Sequence, residues 1–122
     1  MNFGEDKRVF ISQPMSDRTA EEIRYERDKA IEYAKKELGD DIYIIDSYFE
    51  GAPNYDPKPL WCLGKSFELL STADVAIFVG DFMNYRGCKF EHLAAMEYGI
   101  DKILYWPPND YIYDINRYNY SC

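Results

Sequence analysis

The residues best suited to chemistry lie between Gly80 and Gly99, directly after an apolar run from Val75 to Val79. This run is typical of a buried strand, and the residues after it predict a glycine-containing loop and then a helix whose first turn carries Glu91. Free N–H groups and the positive end of a helix dipole stabilise an anion at such a place. Glu91 there suits a nucleophile or a hydroxyl-binding group. The alternative is that Glu91 only complements the helix dipole.

Other reactive side chains stand close to Glu91. Arg86 precedes Gly87 at the predicted helix start, where a guanidinium can hold a phosphate or carboxylate through two hydrogen bonds. The alternative is a salt bridge to one of the many acidic residues. We expect Cys88 to be a packed thiol rather than a nucleophile, because no base partner is evident. We expect His92 to be packed or exposed and not a base, and Lys65 to be an exposed helix lysine.

Strands and helices alternate along the chain and must position these residues. The patterns predict strands over 8–12, 41–46, 73–79 and 101–106, and helices over 19–38 and 60–71 and up to Gly99. Thr19 and Glu22 have the spacing of a capping box, and Gly39 is a plausible stop for the first helix. This order predicts an α/β fold, a Rossmann-like three-layer sandwich with a mostly parallel sheet of four to five strands.

The carboxyl edge of that sheet should carry three loops, 13–18, 47–59 and 80–91, and we expect all three to face one crevice. Gln13 is either a hydrogen-bonding group for a ligand or an ordinary turn residue. The 47–59 loop is long for a compact domain, which favours a lid over the site or an oligomer contact.

Composition limits the classes of function. The 122 residues predict one domain with its core over about 8–105 and an aromatic tail over 107–122. A net charge of −8 argues against a nucleic-acid polymer as partner. The three cysteines are scattered, so we expect neither a metal site nor a disulfide framework. No apolar run is long enough to span a membrane and no signal peptide is evident, which predicts a cytoplasmic protein. The 12 tyrosines and 7 phenylalanines suit ring stacking or an oligomer interface.

Three segments of the chain resemble the nucleoside 2-deoxyribosyltransferase-like superfamily, in particular its small bacterial and phage branch. They are Val9-Phe10-Ile11-Ser12-Gln13-Pro14-Met15, the block from Leu63-Gly64-Lys65-Ser66 through Ala73-Asp74-Val75-Ala76, and Arg86-Gly87-Cys88-x-x-Glu91 with Ala94 and Tyr98-Gly99-Ile100. The resemblance covers about residues 8–105. Each segment is moderately specific, and their order and spacing together are more so.

This resemblance implies a Rossmann-like protein that binds a nucleoside or nucleotide, needs no metal or organic cofactor, and forms a homo-oligomer whose neighbouring subunit helps to close the site. It implies that Glu91 attacks the anomeric carbon of the sugar and that the base leaves. A second base or water then resolves the glycosyl–enzyme intermediate. The ligand-binding residues that follow from the match are Ser12, Gln13, Pro14, Met15, Ser66, Asp81, Arg86, Gly87 and Cys88.

Two positions depart from the pattern of the transferases. Ser66 stands where they have an aspartate that protonates or orients the leaving base, and a serine is no equivalent general acid. Phe10 stands at or near a tyrosine that hydrogen-bonds the catalytic glutamate. Asp81 is the better candidate to compensate as a catalytic group, whereas Asp74 is either a substitute or a strand-start residue that bonds the backbone.

Three functions are therefore expected as alternatives. The first is an enzyme that cleaves or transfers an N-glycosidic bond through Glu91. The second is a binding protein of the same fold that sequesters a nucleotide or a nucleotide-derived signal without turnover. The third is an interaction protein whose aromatic tail drives assembly.

Overall fold

A computed structural model describes residues 7–47 and 59–107. This part of the chain forms a four-stranded, all-parallel sheet with helices on both faces. The strands are β1 (Lys7–Ser12), β2 (Ile42–Ile44), β3 (Val75–Val79) and β4 (Asp101–Tyr105), and the helices are α1 (Ala20–Leu38), α2 (Pro59–Leu70) and α3 (Arg86–Glu97). The predicted α/β sandwich is confirmed. Most of the 47–59 loop and of the tail over 107–122 lies outside the described residues.

Two apolar clusters, one on each face of the sheet, hold the three layers of the sandwich together. On one face of the sheet, Val9 and Ile11 of β1 pack with Ile77 of β3 against Ala30 and Ala34 of α1. On the other face, a second cluster joins the sheet to α2 and α3; it contains Phe10, Ala76, Phe78, Leu70, Cys88 and Ala95. All five residues of β3 are buried, as expected for a central parallel strand that is covered on both faces.

The first helix begins and ends as its sequence predicts. The Thr19 side chain accepts a hydrogen bond from Glu22 N at 3.0 Å, and the Glu22 carboxylate accepts one from Thr19 N at 2.9 Å. Gly39 ends α1 with a φ of 96°, which favours glycine, and its N–H donates to Lys35 O. The capping box therefore fixes where the chain turns from the loop after β1 into α1.

The strand order is β2-β1-β3-β4, so the chain crosses to one side of β1 first and to the other side later. The switch in direction lies between β1 and β3, whose register pairs Val9 with Val75 and Ser12 with Phe78. Open α/β sheets bind ligands at such a switch point, outside the carboxyl ends of the strands. In this chain the switch point lies beside Ser12 and Gly80.

The position of Glu91 within α3 differs from the sequence prediction. A short 3-10 helix, Phe82–Asn84, follows the loop after β3, and α3 begins at Arg86 with Tyr85 as its N-cap. Glu91 is thus in the second turn and not the first, so the prediction was wrong at this point. The free N–H groups of the helix N-terminus belong to the residues from Arg86 onwards. The helix dipole therefore has little effect on Glu91, and the ionisation of Glu91 depends on the side chains around it.

Candidate functional site

Glu91 is a buried carboxyl group held by two hydroxyls. Ser12 Oγ donates to Glu91 Oε1 at 2.6 Å, and the Ser66 side chain forms a second hydrogen bond with the same carboxyl group. Glu91 is 7% exposed. Burial raises its pKa above the usual range for a glutamate, and the two serine hydrogen bonds act in the opposite direction because they favour the charged form. A carboxylate has about four acceptor positions. Two donors leave room for a ligand.

Three parts of the fold bring this group together. Ser12 ends β1, Ser66 lies in α2 and Glu91 lies in α3. The apolar residues of β1 are buried in the core, and the buried polar side chain at the end of the strand needs a hydrogen-bond partner. Ser12 is that side chain, 2% exposed. The site therefore joins the central strand to both helices on one face of the sheet.

Glu91 lies where two neighbouring cavities meet. The larger has a volume of about 790 Å³. Its lining includes the polar residues Ser66, Arg86 and Glu91 and the apolar residues Leu60, Leu63 and Phe90. The smaller, about 320 Å³, runs along the loop after β1. They share five lining residues, which are Ser16, Cys62, Ser66, Gly87 and Glu91. The two cavities together form one crevice, the switch-point crevice.

Most of the site residues predicted from the sequence line this crevice. The smaller cavity is lined by Ser12, Gln13, Pro14, Met15, Ser66, Gly87, Cys88 and Glu91, and the larger one adds Arg86. The structure thus brings together every predicted ligand-binding residue except Asp81. Whether they contact a ligand stays a prediction.

Gln13 belongs to the framework of the crevice. Its side-chain amide donates to Ile23 O at 3.0 Å, and its carbonyl oxygen lies 3.5 Å from Arg27 Nη1. Arg27 also donates to Ile45 O at 2.9 Å and to Ser47 Oγ at 3.3 Å. Gln13 is 4% exposed, so these contacts tie the loop after β1 to α1 and to the end of β2.

Arg86 is exposed at the first position of α3 and lines the larger cavity. Within residues 7–47 and 59–107 it makes neither an ion pair nor a side-chain hydrogen bond. The salt bridge considered as its alternative role is therefore absent from the described contacts. A guanidinium beside the N–H groups of a helix start can meet an anionic group of a ligand.

Asp81 and Arg18 lie apart from Glu91, in a buried cluster of charges. Arg18 Nη2 is 3.3 Å from Asp81 Oδ1, Arg18 Nε is 3.0 Å from Glu26 Oε1, and Arg18 Nη1 donates to the Tyr85 hydroxyl at 2.6 Å. Asp81 lines neither cavity of the crevice. The structure thus does not bring together the two predicted catalytic residues, Glu91 and Asp81.

Other candidates have structural contacts. Asp74 Oδ2 accepts from Arg8 N at 2.8 Å, so Asp74 is the strand-start residue that bonds the backbone. The His92 ring packs 5.0 Å from the rings of both Phe78 and Phe82, as expected for a packed histidine. Burial, together with the charge of Lys102, lowers the pKa of His92.

Two further expectations are confirmed. Lys65 is 44% exposed and pairs with Glu68 at 3.2 Å on the surface of α2. Cys88 is 6% exposed within the core cluster, so its thiol is packed. No disulfide joins Cys62 and Cys88.

Sequence reasoning missed the partners of Glu91 and the role of Arg18. Ser12 was predicted as a ligand-binding residue, and in the structure its hydroxyl donates to Glu91. Ser66 likewise holds Glu91. A polar residue at the end of an otherwise apolar strand was the available signal for Ser12. In the described ranges, no group of three His, Cys, Asp or Glu side chains is arranged to hold a metal ion, and no helix is long and apolar enough to cross a membrane.

The fold and the site define a class of α/β protein, one with an all-parallel sheet and a buried carboxyl group in a crevice at the switch point. Comparison with protein-family profiles, curated proteins and solved structures finds no match to this chain.

Proposed function

We propose that the chain binds a nucleoside or nucleotide in the switch-point crevice and cleaves or transfers its N-glycosidic bond, with Glu91 as the nucleophile. The observation that carries the proposal is the buried Glu91 carboxyl group, held by Ser12 at 2.6 Å and by Ser66. Such a group has a fixed direction and faces a cavity large enough for a nucleotide. The similarity of the three sequence segments to the nucleoside 2-deoxyribosyltransferase-like superfamily supports the same reaction.

In this reaction an oxygen of ionised Glu91 forms a bond to the anomeric carbon while the carbon–nitrogen bond to the base breaks. The electron pair of that bond goes to the base nitrogen, which takes a proton from water. Water then attacks the anomeric carbon and loses a proton to the hydroxide left by the first step. The bond between Glu91 and the sugar breaks, and Glu91 is released as a carboxylate. In transfer, the nitrogen of a second base replaces the water. Ser12 and Ser66 keep the carboxyl group pointing at the sugar.

The ionisation of Glu91 sets the expected pH dependence. Burial raises the pKa of Glu91, and only the deprotonated form can attack carbon. The rate of base release should therefore rise with pH through the folded-state pKa and then level off. Burial also removes part of the water shell of the carboxylate, and this makes the carboxylate a better nucleophile.

The lining of the crevice suits the other parts of a nucleotide. The apolar lining residues Leu60, Leu63 and Phe90 offer a surface against which a base can lie. Arg86 and the N–H groups of the first turn of α3 suit a phosphate. We therefore expect Arg86→Ala to weaken the binding of a nucleoside monophosphate about tenfold or more, with little change for the matching nucleoside.

The test is base release from a panel of nucleosides and nucleotides, followed by chromatography. We expect release by the wild-type chain and a loss of about a thousandfold or more in Glu91→Gln, which keeps the shape of the side chain but removes the nucleophile. Glu97→Gln is the matched control, because Glu97 is an exposed residue of the same helix. The proposal is wrong if no substrate releases a base and Glu91→Gln behaves like wild type in ligand binding.

A second candidate function is sequestration of an intact nucleotide or nucleotide-derived signal. One observation favours it: among the described residues that line the crevice, Glu91 is the only carboxyl group, so no second acid is present to protonate a leaving base. This function predicts a small molecule that copurifies with the protein and is released unchanged by heat. Mass spectrometry of the released material distinguishes it from a cleaved product.

We also propose that the chain forms a homo-oligomer. Large apolar side chains on α2, on α3 and just after α3 are exposed, including Leu60 at 75%, Leu93 at 50% and Tyr98 at 84%. A charged substitution there, Leu93→Lys, should lower the molar mass in analytical ultracentrifugation if this face is an interface. Glu37→Gln, an exposed position of α1 on the other face of the sheet, makes the same change of charge and is the control. The proposal that the tail drives assembly instead predicts that removal of residues 107–122 gives a monomer.

A further inference from the structure

Arg18 is at the centre of a buried network that reaches three parts of the fold. Its side chain is only 3% exposed. It lies 3.0 Å from Glu26 of α1, 3.3 Å from Asp81 in the loop after β3 and 3.5 Å from Asp17 in its own loop. Tyr85 completes the set, since its hydroxyl accepts from Arg18 at 2.6 Å and its ring lies 5.0 Å from the guanidinium carbon.

The charges in this network keep Arg18 in its charged form. Burial opposes the charge of Arg18, and Glu26, Tyr85 and Asp81 outweigh that effect, so the pKa of Arg18 is raised above its usual range. The guanidinium stays charged and meets acceptors on several sides, which suits a planar fork of five N–H donors. An ammonium group has the same charge but cannot reach Glu26, Asp81 and the Tyr85 hydroxyl in these directions. Burial, with the charges of Asp81 and Asp17, raises the pKa of Tyr85 to about 12, so its hydroxyl keeps its proton.

Tyr85 is the link from this network to the crevice. It is fully buried, it is the N-cap of α3, and its carbonyl accepts from Lys89 N at 2.9 Å. No side chain caps α3 by a hydrogen bond, so local sequence alone gives this helix a weak start. Contacts of the Tyr85 side chain must therefore fix where α3 begins. Arg86 follows Tyr85 directly, and Glu91 comes six residues after Tyr85.

We propose that Arg18 is a positioning residue that fixes the start of α3 against the loop after β1, and so holds Arg86 and Glu91 in place beside Ser12. The contacts behind this proposal lie among the described residues, whereas any effect on ligand binding rests on the proposed function. Arg18 touches neither cavity of the crevice and acts through Tyr85.

Cys88 reports on this start, because it is the third residue of α3 and the residue is only 6% exposed. The experiment uses the full chain with Cys62→Ser and Cys122→Ser, so that N-ethylmaleimide modifies Cys88 only. Because Cys88 also lines the smaller cavity, its labelling has a slow baseline in the folded state, and a rate above that baseline reports opening of the first turn of α3 or global unfolding. Labelling rates are compared for the parent, Arg18→Lys, and Tyr85→Phe, which is the milder change if Arg18→Lys folds poorly.

Two controls separate a local effect from a general loss of stability. Lys29→Met removes a cation from the exposed pair with Glu32 on α1 and should leave Cys88 labelling unchanged. A chain with Ala34→Cys as its only cysteine reports on global unfolding, since Ala34 of α1 is fully buried. We expect Arg18→Lys and Tyr85→Phe to raise the Cys88 rate about tenfold more than the Ala34→Cys rate. Equal increases at both positions, or none at Cys88, would overturn the proposal.

Deoxyadenosine monophosphate serves as the ligand probe, with the native cysteines in place. Tyr85→Phe should weaken its binding about tenfold without altering the fold, and Lys29→Met should not change it. If the wild-type chain does not bind the probe, the proposed function is contradicted for this ligand, and Cys88 labelling still decides the role of Arg18. Binding that is unchanged in Tyr85→Phe while Cys88 labelling rises would overturn the link from the start of α3 to the crevice.

Discussion

Replacing Ser12 by alanine removes the hydroxyl that donates to Glu91 Oε1 at 2.6 Å. Both residues are buried, so water cannot easily take the place of the lost donor. A hydrogen bond to a charged group contributes about 1.5–3 kcal/mol, compared with about 0.5–1.5 kcal/mol for a bond between neutral groups. The cost of Ser12→Ala should therefore depend on whether Glu91 is ionised.

The sign of the pH effect follows from the burial of Glu91. Because burial raises its pKa in the folded state, the folded protein binds a proton at a pH where the unfolded chain has lost it. Stability due to this group is thus present at low pH and is lost as the pH rises through the folded pKa. Ser12→Ala removes a hydrogen bond that favours the charged form and raises that pKa further. The free-energy cost of the substitution should grow from about 1 kcal/mol at low pH to about 2–3 kcal/mol at high pH.

Urea unfolding between pH 5.5 and 9 measures this dependence of the cost on pH. The range avoids the isoelectric point of about 4.6, where solubility falls. The matched reference is Glu91→Gln, which accepts the same hydrogen bond but cannot ionise. In that background, Ser12→Ala should cost about 1 kcal/mol at every pH. If the cost is the same in both backgrounds across the range, Glu91 does not ionise in contact with Ser12 and the reasoning fails.

Three further substitutions test local features by urea unfolding at neutral pH, with an unchanged m-value as the check on two-state behaviour. Thr19→Ala removes the acceptor of Glu22 N and should cost about 1 kcal/mol, whereas Thr19→Ser should restore most of the loss. Gly80→Ala should cost about 1–2 kcal/mol because φ is +63°, although no atom would crowd the new methyl group; a neutral result would show that this backbone angle relaxes freely. Asp74→Ala removes the acceptor of Arg8 N and should cost about 1 kcal/mol, and Asp74→Asn much less.

The sequence was sufficient for the parts of the fold that local patterns decide. The apolar run from Val75 to Val79 predicted the central strand, and Thr19 with Glu22 predicted the start of α1 to within a residue. The turn of α3 that carries Glu91 was less accessible, because Gly87 weakens the helical pattern of the first turn. Packing of Tyr85 in the core overrides that local preference.

The crevice was predicted in its residues but not in its contacts. Ser12 and Glu91 are 79 residues apart, and no spacing rule connects a strand end to the second turn of a distant helix. The burial of Arg18 was not predicted, because a charged loop residue is usually exposed. Its partners Glu26 and Asp81 come from separate elements and only the folded chain brings them together.

The central place of β1 has a consequence for the order of folding. With β2, β1 shares a register of only three residues, Lys7 to Val9, whereas the pairing of Phe10 and Ile11 waits for β3, more than 60 residues later in the chain. Pairing across such separations is slow, because the entropy of closing a long loop must be lost before the contact forms. Until then the most apolar part of β1 is an unpaired edge that can join another chain. Ser12 and Glu91 come from the two parts of the chain that this pairing joins, so we expect the crevice to form late in folding.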